Sequence, residues 1–173
     1  IARLLPAALC AALSGCYEDV PGYCDATRPC AADGDVCVLP DRQCVQAQAW
    51  AELSGMQAVP PLPSVATGTL KIARSFDGRL AFNLRYSVPR GTVRAVHLHK
   101  GKPGSPPGTV TVSLPGAQPP AAGQVVMGAL DIASDDQVMG ILSGEYYFDV
   151  HTDNLADAMA GDVEARGQIW PLP

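Results

Sequence analysis

Arg79-Leu80-Ala81-Phe82-Asn83-Leu84-Arg85-Tyr86-Ser87-Val88 reads with a period of two. Leu80, Phe82, Leu84, Tyr86 and Val88 fall on one side of an extended chain, and Arg79, Ala81, Asn83, Arg85 and Ser87 on the other. Successive side chains of a strand point to opposite faces, so this stretch is a half-buried strand with one apolar face. The same alternation recurs outward from it. Val110, Val112 and Leu114 alternate with Thr109, Thr111 and Ser113, and Tyr146, Phe148 and Val150 face away from Glu145, Tyr147, Asp149 and His151. Val163, Ala165, Gly167 and Ile169 face away from Glu164, Arg166 and Gln168. With residues 68–73, 93–99 and 124–132, about seven strands are bounded by Gly, Pro, Asn and Asp turns. No long amphipathic helix competes, and residues 154–160 offer a single helical turn. Several short antiparallel strands in one domain make an all-β sandwich or barrel, here beginning near Ala51.

Composition agrees. The 173 residues fit one ordinary domain plus accessory segments, and 17 Gly and 16 Pro against 6% aromatic residues favour short strands and many turns. A net charge of −5 with no basic cluster argues against nucleic acid, whose phosphates need Lys and Arg. It argues equally against a polybasic membrane-surface patch.

Residues 1–15 differ in kind. Arg3 precedes an apolar run over residues 4–13, too short for a bilayer that needs about 20 residues but suited to the h-region of a secretory signal. Leu13-Ser14-Gly15-Cys16 follows, and it resembles the lipobox of bacterial lipoproteins. The resemblance implies a signal peptide over residues 1–15 and a diacylglycerol on Cys16, with a lipidated tether over residues 16–22. Cys10 falls in the removed segment. Export to the cell envelope and membrane attachment through Cys16 follow. Tyr17 after the lipidated cysteine points to the outer membrane or cell surface.

The remaining cysteines, Cys24, Cys30, Cys37 and Cys44, crowd into residues 23–46. An even, clustered set in an exported chain reads as two disulfides. Zinc is the weaker alternative, because no C-x₂-C step and no nearby His is present. Four cysteines allow three pairings, which spacing does not choose between. The interleaved one, Cys24 with Cys37 and Cys30 with Cys44, is the working expectation. So small a module reads as a spacer stabilised by its bridges.

From Glu52 onward three ordered blocks resemble the CHRD domain, a repeat first described in chordin and found in many exported bacterial proteins. The first is Leu53-Ser54-Gly55-Met56-Gln57-Ala58-Val59-Pro60-Pro61 followed by Ala66-Thr67-Gly68. His97-Leu98-His99-Lys100-Gly101 with Pro107-Gly108-Thr109-Val110 forms the second. The third is Gly144-Glu145-Tyr146-Tyr147-Phe148-Asp149-Val150-His151-Thr152, closing with Glu164-Ala165-Arg166-Gly167-Gln168-Ile169. Lys100 and residues 154–161 depart from the family pattern. The resemblance spans residues 51–171 and implies a Greek-key β-sandwich. It implies little about activity, because fold is not function.

The chain has three histidines, and all lie in these blocks. His97 and His99 share one strand face while Val96 and Leu98 take the other, and His151 also lies opposite its strand's apolar set. Three imidazoles on outer faces are suitable ligands for copper or zinc. The bland alternative is that they hydrogen-bond a neighbouring loop over residues 100–107. His97-Leu98-His99 and Val150-His151 also resemble the copper ligands of copper–zinc superoxide dismutases, and Arg166 then resembles the anion-guiding arginine. No further His remains for a dual-metal site. Copper is favoured over zinc by the Irving–Williams order and by this similarity.

Other residues carry less. Asp135, Asp136, Asp149, Asp153 and Asp157 lack the calcium-loop spacing and read as a solvated surface. Ser54, Ser64 and Ser143 lack the G-x-S-x-G context of a hydrolase, and the Gly- and Pro-rich residues 101–108 precede a strand instead of a phosphate-binding helix. The chain therefore reads as a lipid-anchored, non-enzymatic surface module for a protein or glycan partner, or as a three-histidine copper protein with a superoxide dismutase-like site for metal handling or redox chemistry.

Overall fold

The computed structural model describes residues 22–39, 41–88, 92–114, 125–153 and 163–173. The expected signal, Cys10, Cys16, all of the tether but Gly22, and the 154–160 turn lie outside these residues. Among the described residues no helix is long and apolar enough to cross a membrane.

A hairpin of β1 (Asp35–Val38) and β2 (Gln43–Gln46) precedes the main sheet. Then follow β3 (Ala49–Ser54), a 3-10 turn (Gly55–Gln57), β4 (Thr67–Arg74), β5 (Leu80–Ser87), β6 (Val93–Lys100), β7 (Val110–Ser113) and β8 (Val126–Ala129). Helix α1 (Asp135–Leu142) leads into β9 (Tyr146–Thr152), β10 (Val163–Gln168) and β11 (Trp170–Pro171). The strand order is β7-β6-β9-β10-β3-β4-β5-β8, with β11 also on β3, and every pairing is antiparallel.

β10 meets β3 at one register pair, Arg166 with Ser54, whereas β6 and β9 pair from Val93 to Lys100. The sheet is curled, and its two halves close over one core. Leu53, Leu70, Ile72, Phe82 and Leu84 come from one half, and Val96, Leu98, Phe148, Val150 and Ala165 from the other. The pairs β5–β8, β6–β9 and β10–β3 join strands that are not consecutive, which is the Greek-key sandwich expected. β4 to β10 are the seven strands anticipated from alternation.

Helix α1 was not anticipated. Ser134 Oγ accepts from the Gln137 amide at 3.3 Å, and Asp135 and Asp136 sit in the first turn, where carboxylates offset the partial positive charge of the helix end. Val138 and Ile141 pack into the core.

Cys24 is bonded to Cys37 and Cys30 to Cys44, the interleaved pairing. The module they form is not a free spacer. Val36 and Val38 bury against Ala47, Ala73 and Ala81 in a second cluster on the outer face of β4 and β5. The Cys37 amide donates to Asn83 Oδ1 at 3.3 Å, Asn83 Nδ2 donates to the Asp35 carbonyl at 3.2 Å, and Lys71 pairs with Asp33 at 3.0 Å. β5 is therefore buried on both faces at Ala81 and Asn83, which alternation alone assigns to solvent.

Candidate metal centre

The core claims Val96 and Leu98 of β6, Phe148 and Val150 of β9, and Ala165 of β10. The intervening residues must then point outward, and the register sets them side by side. His97 lies opposite Asp149, His99 opposite Tyr147, and Ala95 opposite His151. On the other flank of β9, Arg166 lies opposite Asp149 and Gln168 opposite Tyr147.

Much of this outer face is shielded from water, with His97 and His151 partly exposed at its edge. The connection over residues 101–108 crosses it as a strap, held by named side chains. Arg166 donates to the Ser105 carbonyl at 2.7 Å and the Lys102 carbonyl at 2.9 Å, and Gln168 Nε2 donates to the Gly101 carbonyl at 3.3 Å. The Gly108 amide donates to the Tyr147 hydroxyl at 3.0 Å. The segment after β3 covers the far side, where Ser64 Oγ donates to Glu164 and Gln57 Oε1 accepts from the Gln168 amide at 3.1 Å. Asp149, Arg166, Gln168, His99 and Glu164 are consequently 2, 3, 3, 4 and 5% exposed. The expectation of a solvated surface fails for Asp149, because the strap removes it from water.

One ligand atom from each of His97, His99, Asp149 and His151 lies within 4.8 Å of the others. His99 Nε2 stands 3.1 Å from Asp149 Oδ1 and 3.0 Å from Oδ2, and His151 Nε2 stands 3.0 Å from Oδ1. The His97 ring is tilted against His151 at 4.8 Å between centroids and lies 5.9 Å from the His99 ring. Its Nδ1 is buried and has no hydrogen-bond partner among the described residues. His99 stacks on Tyr147 at 5.0 Å and 5°, and the Arg166 guanidinium lies 3.4 Å over the same Tyr147 ring.

His99 Nδ1 is 2.9 Å from the Gly108 carbonyl oxygen, which only accepts, so the proton is assigned to Nδ1. In the neutral ring Nε2 then aims a lone pair at a carboxylate that also only accepts. Two acceptors at about 3 Å repel unless a cation stands between them, either a proton or a metal ion. Burial disfavours a charged His99, but the hydrogen bond and charge of Asp149 and the Gly108 carbonyl outweigh it, and the pKa is raised. Burial likewise opposes ionised Asp149, yet the hydrogen bonds from His151 and His99 hold its carboxyl below the usual range. His97 is pushed the other way, by burial and by the positive charge of His151, so it keeps a neutral ring with a lone pair.

His97, His99 and His151 are thus brought together as expected, on the face opposite the core. A loop contact like the bland alternative is also present, but to Gly108, one residue beyond the 100–107 expected. Arg166 is elsewhere engaged: buried under the strap and stacked on Tyr147, it does not face solvent beside the imidazoles in the way an anion guide would. Cys24, Cys30 and Cys44 also lie close together, but their sulfurs are spent in disulfides, so the zinc alternative there has no thiolate. Asp149 was missed as a site residue. Its signal was available, since Asp149-Val150-His151 repeats the two-residue step of His97-Leu98-His99 and shares its face.

These features define a class: an antiparallel Greek-key sandwich with three imidazoles and a carboxylate gathered on the outside of one half-sheet. The family model of the CHRD domain matches residues 50–169, and the chain belongs to that family. No curated protein and no solved structure gives a match. The matched range contains all four clustered residues.

Proposed function

We propose that this CHRD domain is a transition-metal-binding module of an exported, lipid-anchored envelope protein, and that it works by binding without catalysis. The observation that carries the reading is the meeting of His99 Nε2 with the Asp149 carboxylate at 3.0 Å, a pair of acceptors that needs a cation between them. His151 Nε2 and His97, whose Nδ1 has no hydrogen-bond partner among the described residues, complete a donor set suited to borderline-soft ions. Copper is the ion of highest expected affinity, by the Irving–Williams order. Export and anchoring rest on the apolar leader and the Leu13-Ser14-Gly15-Cys16 sequence.

The metal reading is tested on residues 17–173 expressed in the periplasm without Cys16. Stoichiometric copper with nitrogen hyperfine structure in Cu(II) paramagnetic resonance is expected, and its loss in a His97→Ala/His99→Ala protein. Absence of nitrogen-ligated copper after equilibration, or unchanged binding in that variant, overturns it. Mass spectrometry of the mature amino terminus should find an acylated Cys16; an unmodified terminus elsewhere refutes the anchor. In a second reading, favoured by the His99 contact to Gly108, the cation is a proton and the cluster is a clasp for the strap. That protein binds no metal and presents the strap to a protein or glycan partner.

A further inference from the structure

Resting on the metal reading above, the geometry points to a closed, four-ligand centre in which Asp149 is a direct ligand, so that the ion serves as a structural staple with no open coordination position. Four-coordinate structural sites are tetrahedral, whereas catalytic sites keep one position for water or substrate. Bonds of about 2.0–2.1 Å to nitrogen and oxygen place tetrahedral donors about 3.3 Å apart. Asp149 already stands 3.0–3.1 Å from His99 Nε2 and 3.0 Å from His151 Nε2, so the carboxylate is near that spacing from two of the imidazoles before any ion enters. His97 brings a fourth donor, and all four ligand atoms lie within 4.8 Å of one another. The buried His97 Nδ1 has no hydrogen-bond partner among the described residues, so no competing contact of that kind holds it.

The surroundings suit a fixed ion. A ligating imidazole is oriented through its second nitrogen, and here the Gly108 carbonyl holds the His99 Nδ1–H at 2.9 Å. Gly108 is itself fixed by the Tyr147 hydroxyl, and Tyr147 lies flat against the His99 ring. The carboxylate that would leave an open position in a three-histidine site is 2% exposed and directed at two of the imidazoles, so it cannot be a bystander. Occupancy thereby ties β6 to β9 and, through Gly108, to the strap over residues 101–108.

Cobalt(II) is the probe, because its visible spectrum reports coordination number. The protein loaded with cobalt alone should show the intense bands of tetrahedral coordination, and added azide should leave them unchanged. Asp149→Asn should bind cobalt at least about tenfold more weakly. Its spectrum should differ, and should now respond to azide. Weak octahedral bands, an azide-sensitive spectrum in the unmodified protein, or an Asp149→Asn spectrum identical to it would each overturn the closed site while leaving metal binding intact. Failure to bind cobalt or copper at all overturns both readings together. Should Asp149→Asn not fold, Asp149→Glu with the azide titration of the unmodified protein decides the same point.

Discussion

Asp149 is a buried carboxylate whose partners in the metal-free protein are two imidazoles, and its ionisation is linked to stability. His99 has a raised folded pKa, so its contribution is full below the ordinary imidazole value and is lost as pH rises through the raised value. The Asp149 carboxyl is depressed, so its contribution is present above the ordinary carboxylate range and is lost as pH falls through the lowered value. Both are present together between roughly pH 4 and pH 6.5. Breaking a buried pair from one side costs about 3–5 kcal/mol. Metal-free Asp149→Ala should therefore be less stable by about that amount near pH 5, with the gap narrowing toward pH 9. Urea unfolding at the two pH values measures it; a gap that widens toward alkaline pH contradicts the ionised pair.

At the scale of elements, the β1–β2 hairpin and the strap show two ways of covering a sheet. The hairpin brings apolar Val36 and Val38 onto small residues, Ala73 and Ala81, and fixes its register through Asn83. The strap brings backbone carbonyls onto Arg166 and Gln168. Asn83 carries two hydrogen bonds between segments, and leaving buried partners unsatisfied costs about 1–3 kcal/mol each. Asn83→Ala should lower stability by about 1–3 kcal/mol for each partner left unsatisfied and raise amide exchange over residues 35–38, while exchange over β6 and β9 stays as it was. Unchanged exchange in the hairpin would show that the disulfides alone hold it in place.

For the whole molecule, the cluster joins β6 to β9 across residues 50 apart in sequence, so an ion bound there stabilises the native state alone. An ion at a hundredfold excess over its dissociation constant adds about 2.7 kcal/mol. Copper or zinc should raise the melting temperature, a chelator should reverse the rise, and His97→Ala/His99→Ala should abolish it in a calorimetric scan. An equal rise in that variant assigns the ion to another site. The pattern of alternation in β4 to β10, the three family blocks and the shared face of His97, His99 and His151 were all legible in the chain. A period of two follows from strand geometry, and strand geometry is local. It assigns each side chain to a face without saying what covers that face. For this reason Asp149, Arg166 and Asn83 read as solvent residues, and α1 escaped notice because eight residues give only two turns of pattern. The sequence by itself determined the strands β4 to β10, their sidedness and the outward set of imidazoles, but not β3, which joins the two halves of the sheet. Only the curl of the sheet and the closing of the strap and hairpin over its outer faces decided that Asp149, His99, Arg166 and Asn83 are buried. Those contacts join distant segments, and they turn a polar strand face into a largely shielded carboxylate–imidazole cluster.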